Sequence, residues 1–276
     1  MIKRFLKTIL PVAAMGIGLA VSGCDDNIHI QIGDDDGVPL SELDMSGEAP
    51  TSLVLASPDN VVITEGDKLD IKVSGDADAV AALRFNIDDD TLGIMREKGF
   101  KGNGKASVAV VMPPAREFIL AGSGSIVAPS LVEKAEVNIA GTGKVSVARV
   151  KAERLDVNVM GSGTFDAAGT AERLDFNVAG SGKLAARGLK VDRAEINIAG
   201  SGGGEFASDG KVEARVAGSG DVTVYGRATC KISAMGSGKL RCVGGDTAWE
   251  DDDRAPPEAP VAPRPIAAPE PPTPSE

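Results

Sequence analysis

The chain has 276 residues, and its 34 glycines and 3% aromatic content favour a core of stacked aliphatic side chains over an aromatic one. The formal net charge of −11 lies in the two flanks, because residues 51–245 hold 24 acidic and 24 basic residues. Nucleic-acid binding requires a net basic face, so we expect no nucleic-acid partner.

Residues 1–23 predict a secretory signal peptide, because three positive charges come before an apolar run too short for a membrane span. The following segment, Val-Ser-Gly-Cys ending at Cys24, resembles the lipobox of bacterial lipoproteins. The resemblance implies a diacylated Cys24 that anchors the protein to a membrane of the bacterial envelope, facing the periplasm or the surface. An ordinary signal peptide with an unmodified cysteine is the alternative.

Two acidic segments flank the region expected to fold. Residues 24–50 hold eight acidic residues and no Lys or Arg, which predicts a tether. The single histidine, His29, lies there and is interpreted as a solvated side chain. Residues 246–276 hold nine of the 16 prolines, which predicts an acidic, Pro/Ala-rich disordered tail.

A Gly-Ser/Thr-Gly triplet recurs seven times in the central region at steps of 18 to 20 residues. A fixed period near 20 is typical of a solenoid, in which each repeat contacts only its neighbours. We expect each triplet to form a corner, where glycine adopts the positive φ of a sharp bend. The first glycines of the triplets are Gly122, Gly141, Gly161, Gly180, Gly200, Gly218 and Gly236.

The residues around each triplet alternate between apolar and polar. In LDVNV, before Gly161, the apolar residues point one way and Asp and Asn the other, and a second apolar pair follows each triplet. Period two predicts strands with one buried face, and no proline interrupts residues 130–255. The predicted fold is all-β: a single-stranded parallel β-helix, or β-solenoid, with rungs of about 19 residues. A leucine-rich repeat has a similar period, but its L-x-x-L-x-L-x-x-N phrase is absent.

The predicted domain covers residues 51–245. Its first part, 51–121, is less regular and is interpreted as opening rungs that cap the solenoid, followed by the regular repeats of 122–245.

Three outward-facing columns follow from the register of the repeats. We expect salt-bridge ladders between the basic and acidic columns rather than a cation site, and side-chain amide ladders in the third column. The basic column is Lys134, Arg154, Arg173, Arg193 and Lys211; the acidic column is Glu117, Glu136, Asp156, Asp175, Glu195 and Glu213; the amide column is Asn138, Asn158, Asn177 and Asn197.

Three features together resemble the bacterial head GIN domain family, described as an auto-transporter adhesin head of unknown function. They are the opening SPDNVVITEGDKLDIKVSGDADAV, the Pro-Pro before the first triplet, and the repeated VNIAGTG and INIAGSG phrases. The resemblance covers about residues 50–245. It implies an exported β-helical domain of the bacterial envelope, and it supplies no catalytic residue.

Cys230 and Cys242 fall six residues before and six after Gly236, in the predicted inward columns of one rung. In an oxidising compartment they either form a cross-core disulfide or fill the core as two small apolar side chains. We predict no metal site, no cofactor and no catalytic residue, since residues 51–245 contain no histidine.

Two functions remain open. The first is a non-enzymatic envelope lipoprotein with a structural or adhesive β-helical surface, whose partner is a glycan or an envelope protein. The second is a β-helix enzyme that cleaves polysaccharide with carboxylates on a strand face. We favour the first, because the charged columns repeat without singling out one site. The sequence leaves the oligomeric state open.

Overall fold

The computed structural model describes residues 37–244. The predicted signal peptide (1–23), Cys24 with residues up to 36, and the tail 246–276 lie outside the described residues. Residues 37–50, which we expected in the tether, contact the domain. A short 3-10 helix spans Leu40–Glu42, and Val38 forms an antiparallel bridge with Phe85.

Fifteen strands and one short α-helix follow, and no helix among the described residues is long and apolar enough to cross a membrane. The opening elements are β1 Ser52–Ala56, β2 Asn60–Glu65, β3 Asp70–Gly75, α1 Ala77–Ala81, β4 Leu83–Asp88, β5 Thr91–Arg96, β6 Ala106–Met112 and β7 Ala115–Gly122. The later strands are β8 Ser125–Gly141, β9 Lys144–Gly161, β10 Thr164–Gly180, β11 Lys183–Gly200, β12 Gly203–Gly218, β13 Asp221–Tyr225, β14 Thr229–Gly236 and β15 Lys239–Val243.

The structure is the predicted parallel β-solenoid with rungs of about 19 residues. Strands β7 to β12 pair in parallel in chain order, so each repeat stacks on the one before it. The register is constant from rung to rung: Gly141 aligns with Gly161, Gly161 with Gly180, and Gly180 with Gly200.

Each regular rung has three straight arms, whereas the sequence predicted two strands. In β9 the exposed dipeptides Ala148-Arg149 and Glu153-Arg154 separate three groups of inward residues. Each dipeptide shifts the alternation by one residue, because the chain bends there and the next inward side chain comes three positions later. The inward groups are Val145 and Val147, then Val150 and Ala152, then Leu155, Val157 and Val159.

The core consists of these inward side chains stacked in columns. Phe165 aligns with Val145 and Leu184, and Phe176 aligns with Val157 and Ile196, all fully buried. Burying a large apolar side chain contributes about 1.5–3 kcal/mol, so the aliphatic columns provide the main stabilisation.

The triplets form the third corner of each rung. The first glycines have φ between 114° and 132°. At this corner the Ser162 amide donates to the Gly141 carbonyl at 2.9 Å, and the Thr164 amide donates to the Gly143 carbonyl at 3.0 Å. A Cβ on Gly161 would lie 2.5 Å from the Gly141 oxygen, so glycine is required both by φ and by the close approach of two rungs.

The opening rungs do not stack in chain order. Strand β1 lies between β5 and β7, and β2 lies between β6 and β8. The rung formed by β1 and β2 is therefore inserted between the rung of β5 and β6 and the rung of β7 and β8. Strands β3 and β4 pair antiparallel with β6 and β5. These antiparallel strands cover the first edge of the parallel stack, which would otherwise be open to further pairing.

Candidate functional site

The outward side of the third arm forms a flat surface, which we call the polar face. It comprises the outward residues of the strands that end at the first glycine of each triplet, from Glu117 in β7 to Met235 in β14. The constant register places the acidic, amide and small apolar residues of successive rungs in straight columns. At the usual strand spacing, neighbours in a column are about 4.8 Å apart.

The amide column forms an unbroken hydrogen-bonded ladder. The side-chain amide of Asn158 donates to the Asn138 oxygen at 2.9 Å, that of Asn177 to Asn158 at 2.9 Å, and that of Asn197 to Asn177 at 3.0 Å. Asn158 and Asn177 each use one N–H and one lone pair of the oxygen in the ladder, which leaves a second N–H and a second lone pair on each. At the two ends, Asn138 donates to Glu136 at 2.9 Å and Asn197 accepts from Arg215 at 3.4 Å.

The predicted salt-bridge ladder is wrong for four of its five basic residues. Arg154 contacts Asp156 at 2.7 Å and Asp175 at 2.8 Å, but the other members of the column make no ion pair within the described part of the chain. All five basic residues align in one column beside a bend of the chain, so alignment with the acidic column does not by itself produce ion pairs. An unexpected cation, Arg215, continues the amide column and pairs with Glu195.

Two carboxyl groups of the acidic column have raised pKa values. Burial raises the pKa of Glu117, and the charges of Glu136 and Asp90 raise it further. Burial is also the main cause for Asp175; the charge of Arg154 lowers its pKa, but the neighbouring Asp156 raises it again. Stacked carboxylates at strand spacing repel one another, so the column carries an electrostatic cost that single ion pairs offset only in part.

Beside the amide ladder lies a column of small or flexible apolar side chains. Met160 is 51% exposed and Met235 is 76% exposed, and alanines occupy the positions between them. The corner hydroxyls form the adjacent column, in which Ser181 and Ser201 lie 3.0 Å apart. In the four rungs that carry Asn138 to Asn197, the polar face thus offers amides, methyl groups and hydroxyls side by side.

A shallow groove of about 630 Å³ follows the bend between the second and third arms. Its acidic residues are the first members of the bend dipeptides, and Lys151 and Lys190 lie opposite them; Lys190 pairs with Asp209 at 2.9 Å. No aromatic side chain lines the groove. The acidic residues are Glu133, Glu153, Glu172 and Asp192.

A buried ion pair closes the opening rungs. Asp59 is 0% exposed and accepts hydrogen bonds from Arg96 Nε at 2.9 Å and from the Ala106 amide at 2.7 Å. Burial alone would raise the pKa of Asp59, but the hydrogen bonds from Arg96, Ala106 and Ser57 and the charge of Arg96 lower it below its ordinary value. Asp59 occupies the corner position that glycine occupies in the later rungs, so its ion pair with Arg96 has a structural role. The sequence analysis did not predict this ion pair.

Cys230 and Cys242 are joined by a disulfide with Cα atoms 6.6 Å apart. Cys230 aligns with Val212 and Cys242 with Val224, both inward positions of the preceding rung. The two cysteines are nevertheless partly exposed, because their rung is the last one described.

Within residues 37–244, no group of three or more His, Cys, Asp or Glu side chains is arranged to bind a metal ion. The acidic column is spread along the stack, with one carboxylate per rung, and does not converge on a point. What the structure brings together is a repeated surface rather than a single pocket.

The comparisons with known proteins agree with this architecture. A protein-family profile described as "Putative auto-transporter adhesin, head GIN domain" matches residues 49–228. A search of curated proteins found no match to the chain.

Several solved structures have the same fold. A "putative adhesin" from Bacteroides fragilis NCTC 9343 superposes with a TM-score of 0.65 at 22% identity, over 71% of this chain and 93% of that one. A "putative lipid binding protein" from Parabacteroides distasonis ATCC 8503 gives a TM-score of 0.55 at 24% identity, over 71% and 93% of the two chains. A "putative adhesin" from Parabacteroides merdae ATCC 43184 gives 0.56 at 18% identity, over 71% and 92%.

At these identities the solved structures establish the fold alone. The profile match spans more than half of the chain and includes the opening rungs and the triplets up to Gly218. The chain therefore belongs to the family described as "Putative auto-transporter adhesin, head GIN domain".

Proposed function

We propose that this protein is a non-catalytic adhesive lipoprotein of the bacterial envelope, and that its polar face binds an elongated, repeating glycan. The observation that carries the proposal is the unbroken amide ladder from Asn138 to Asn197, which presents the same group in the same orientation in four successive rungs.

A periodic surface suits a periodic ligand. Each of these four rungs offers an amide group, a methyl group and a hydroxyl, and these are the groups that contact the hydroxyls and ring faces of sugars. A contact with one rung is weak, but a polymer engages several rungs at once, and the effective concentration of each further contact is high. The exposed Met160 adds a flexible apolar contact to this array.

Several observations disfavour the polysaccharide-cleaving alternative. Hydrolysis needs two carboxylates at a fixed separation across a substrate, one of them with a tuned pKa. The carboxyl groups with raised pKa values, Glu117 and Asp175, belong to the same straight column. Each faces outward beside another carboxylate of that column rather than across a cleft from it. Incubation of acidic glycans with the protein should release no unsaturated or reducing sugar, and such a release would favour the enzyme.

The adhesive role is tested by binding to purified bacterial polysaccharides on a sensor surface. Ala179→Arg places a long cation beside the amide ladder, and Ala148→Arg places the same residue at an exposed bend on another side. We expect Ala179→Arg to weaken binding about tenfold, because it blocks several adjacent contacts at once. The Ala148→Arg variant should bind like the unmodified protein, and equal binding by both variants would contradict the proposal.

The membrane anchor is a separate part of the proposal, supported by the Val-Ser-Gly-Cys segment that ends at Cys24. Two or three acyl chains, at about 0.8 kcal/mol per buried CH₂, would hold the protein to a bilayer. Mass spectrometry should find a diacylated N-terminal cysteine, and Cys24→Ser should move the protein from the membrane fraction to the soluble fraction. An unmodified Cys24 in membrane-free protein would contradict this part.

A further inference from the structure

The last rung leaves the end of the core open. Strands β14 and β15 pair with β12 and β13 on one side and with no strand on the other within residues 37–244. Ile232, an inward residue of this rung, is 39% exposed, whereas its neighbour one rung earlier, Ala214, is 2% exposed. Leu240 continues the column of Val222 in the same way.

The rim of this open end is basic. Residues 226–244 contain four cationic side chains and no acidic one. Lys231, Lys239 and Arg241 make no ion pair in the part of the chain that the structure describes, and Arg227 lies 3.8 Å from Asp209. Two copies placed end to end would bring these like charges together, which disfavours a second copy as the occupant.

The next segment of the chain has the complementary chemistry. Residues 246–253, DTAWEDDD, hold five acidic residues, no basic residue and the only tryptophan of the chain, Trp249. Trp249 follows Gly244 by five positions, a span that can extend about 17 Å. The facing sides of a packed β-structure are about 10 Å apart, so this span is long enough for Trp249 to reach Ile232 and Leu240.

We propose that residues 246–253 lie across the last rung as a cap, with Trp249 on Ile232 and Leu240 and the carboxylates beside the basic rim. The disordered tail that the sequence predicts for 246–276 would then begin after Asp253, where all nine of its prolines lie. The cap removes apolar surface from water and neutralises unpaired cations. It also covers a strand edge that would otherwise pair with another chain. The inference concerns the stability of the solenoid end and does not depend on adhesion by the polar face.

Fluorescence of the single tryptophan tests this cap directly. The protein is purified as the cell produces it, and acrylamide quenching of Trp249 is compared before and after unfolding in guanidinium. We expect blue-shifted emission and quenching about threefold weaker in the folded protein, because an indole packed on aliphatic side chains is shielded from water. Emission and quenching equal to those of the unfolded chain would overturn the proposal.

Charge variants test where the segment lies. Lys231→Gln/Lys239→Gln/Arg241→Gln should raise quenching towards the unfolded value. The matched control Lys68→Gln/Lys101→Gln/Lys105→Gln removes the same charge from the opening rungs and should leave quenching unchanged. Equal quenching in the two triple variants would refute the placement. Sedimentation measures the oligomeric state in parallel. If Trp249 is shielded from acrylamide only at concentrations where the protein is a dimer, the open end is covered by a second copy and the cap is overturned.

Discussion

Replacing Gly161 by alanine should destabilise the solenoid through two effects that the structure separates. The first is backbone strain, because φ at Gly161 is +114°. The second is a collision between rungs, because the new Cβ would lie 2.5 Å from the Gly141 oxygen and 3.2 Å from its carbonyl carbon. Holding a residue other than glycine at such a φ costs about 1–3 kcal/mol. Forcing extra volume into a packed contact costs about 1–3 kcal/mol more.

Two other glycines provide matched controls. Gly99 has φ +85° but nothing within 4 Å of its added Cβ, so Gly99→Ala should cost only the strain, about 1–3 kcal/mol. Gly47 has neither feature, so Gly47→Ala should change the free energy of unfolding by less than about 0.5 kcal/mol.

The assay is urea unfolding of the four proteins, followed by far-UV circular dichroism. We expect Gly161→Ala to lose about 4 kcal/mol, clearly more than Gly99→Ala. A loss for Gly161→Ala no larger than that for Gly99→Ala would refute the close approach of neighbouring corners.

Three further predictions use the same unfolding assay or a thiol titration. Asp59→Ala should cost about 3–5 kcal/mol, because it leaves a buried guanidinium without its partner; a loss below about 1 kcal/mol would place the pair in solvent. Because the pKa of Asp59 is lowered on folding, its contribution is present above its ordinary pKa of 3.8 and is lost as the pH falls through the folded value. The pKa of Asp175 is raised on folding, so its ionised form costs stability above the folded value and costs nothing below 3.8. Asp175→Asn should therefore stabilise the protein by about 0.5 kcal/mol at pH 7 and by less at pH 4, and the reverse order would contradict the electrostatic account. Denatured, unreduced protein should release no thiol from the Cys230–Cys242 pair, and two thiols would contradict the disulfide.

The sequence predicted the stacking of the repeats because its signal is periodic. The glycine triplets and the alternating residues before them fix the register, and the structure confirms the parallel solenoid. The two further bends of each rung carry no recurring glycine triplet, although single glycines such as Gly188 and Gly210 lie at some of them. Their signal was a change of phase at dipeptides such as Glu153-Arg154, where two exposed residues in succession interrupt the alternation.

The opening rungs were less predictable because their partners are distant in sequence. The pairing of Asp59 with Arg96 joins residues 37 positions apart, and the insertion of β1 between β5 and β7 reverses the simple order of stacking. Nothing periodic marks these contacts, since each is made once. The ion pairs of the basic column were misjudged for a related reason: the register shows which residues align but not which long side chains reach an acidic partner.

The most direct test of the stacked coils is the distance between spin labels along one column of the polar face. In a Cys24→Ser background, Ala121→Cys is paired in turn with Ala199→Cys, Ala217→Cys and Met235→Cys, which lie four, five and six rungs away. At about 4.8 Å per rung, pulsed electron resonance should give separations near 19, 24 and 29 Å, rising by a constant increment. Separations that do not increase with the number of intervening repeats would contradict the solenoid and every surface derived from it.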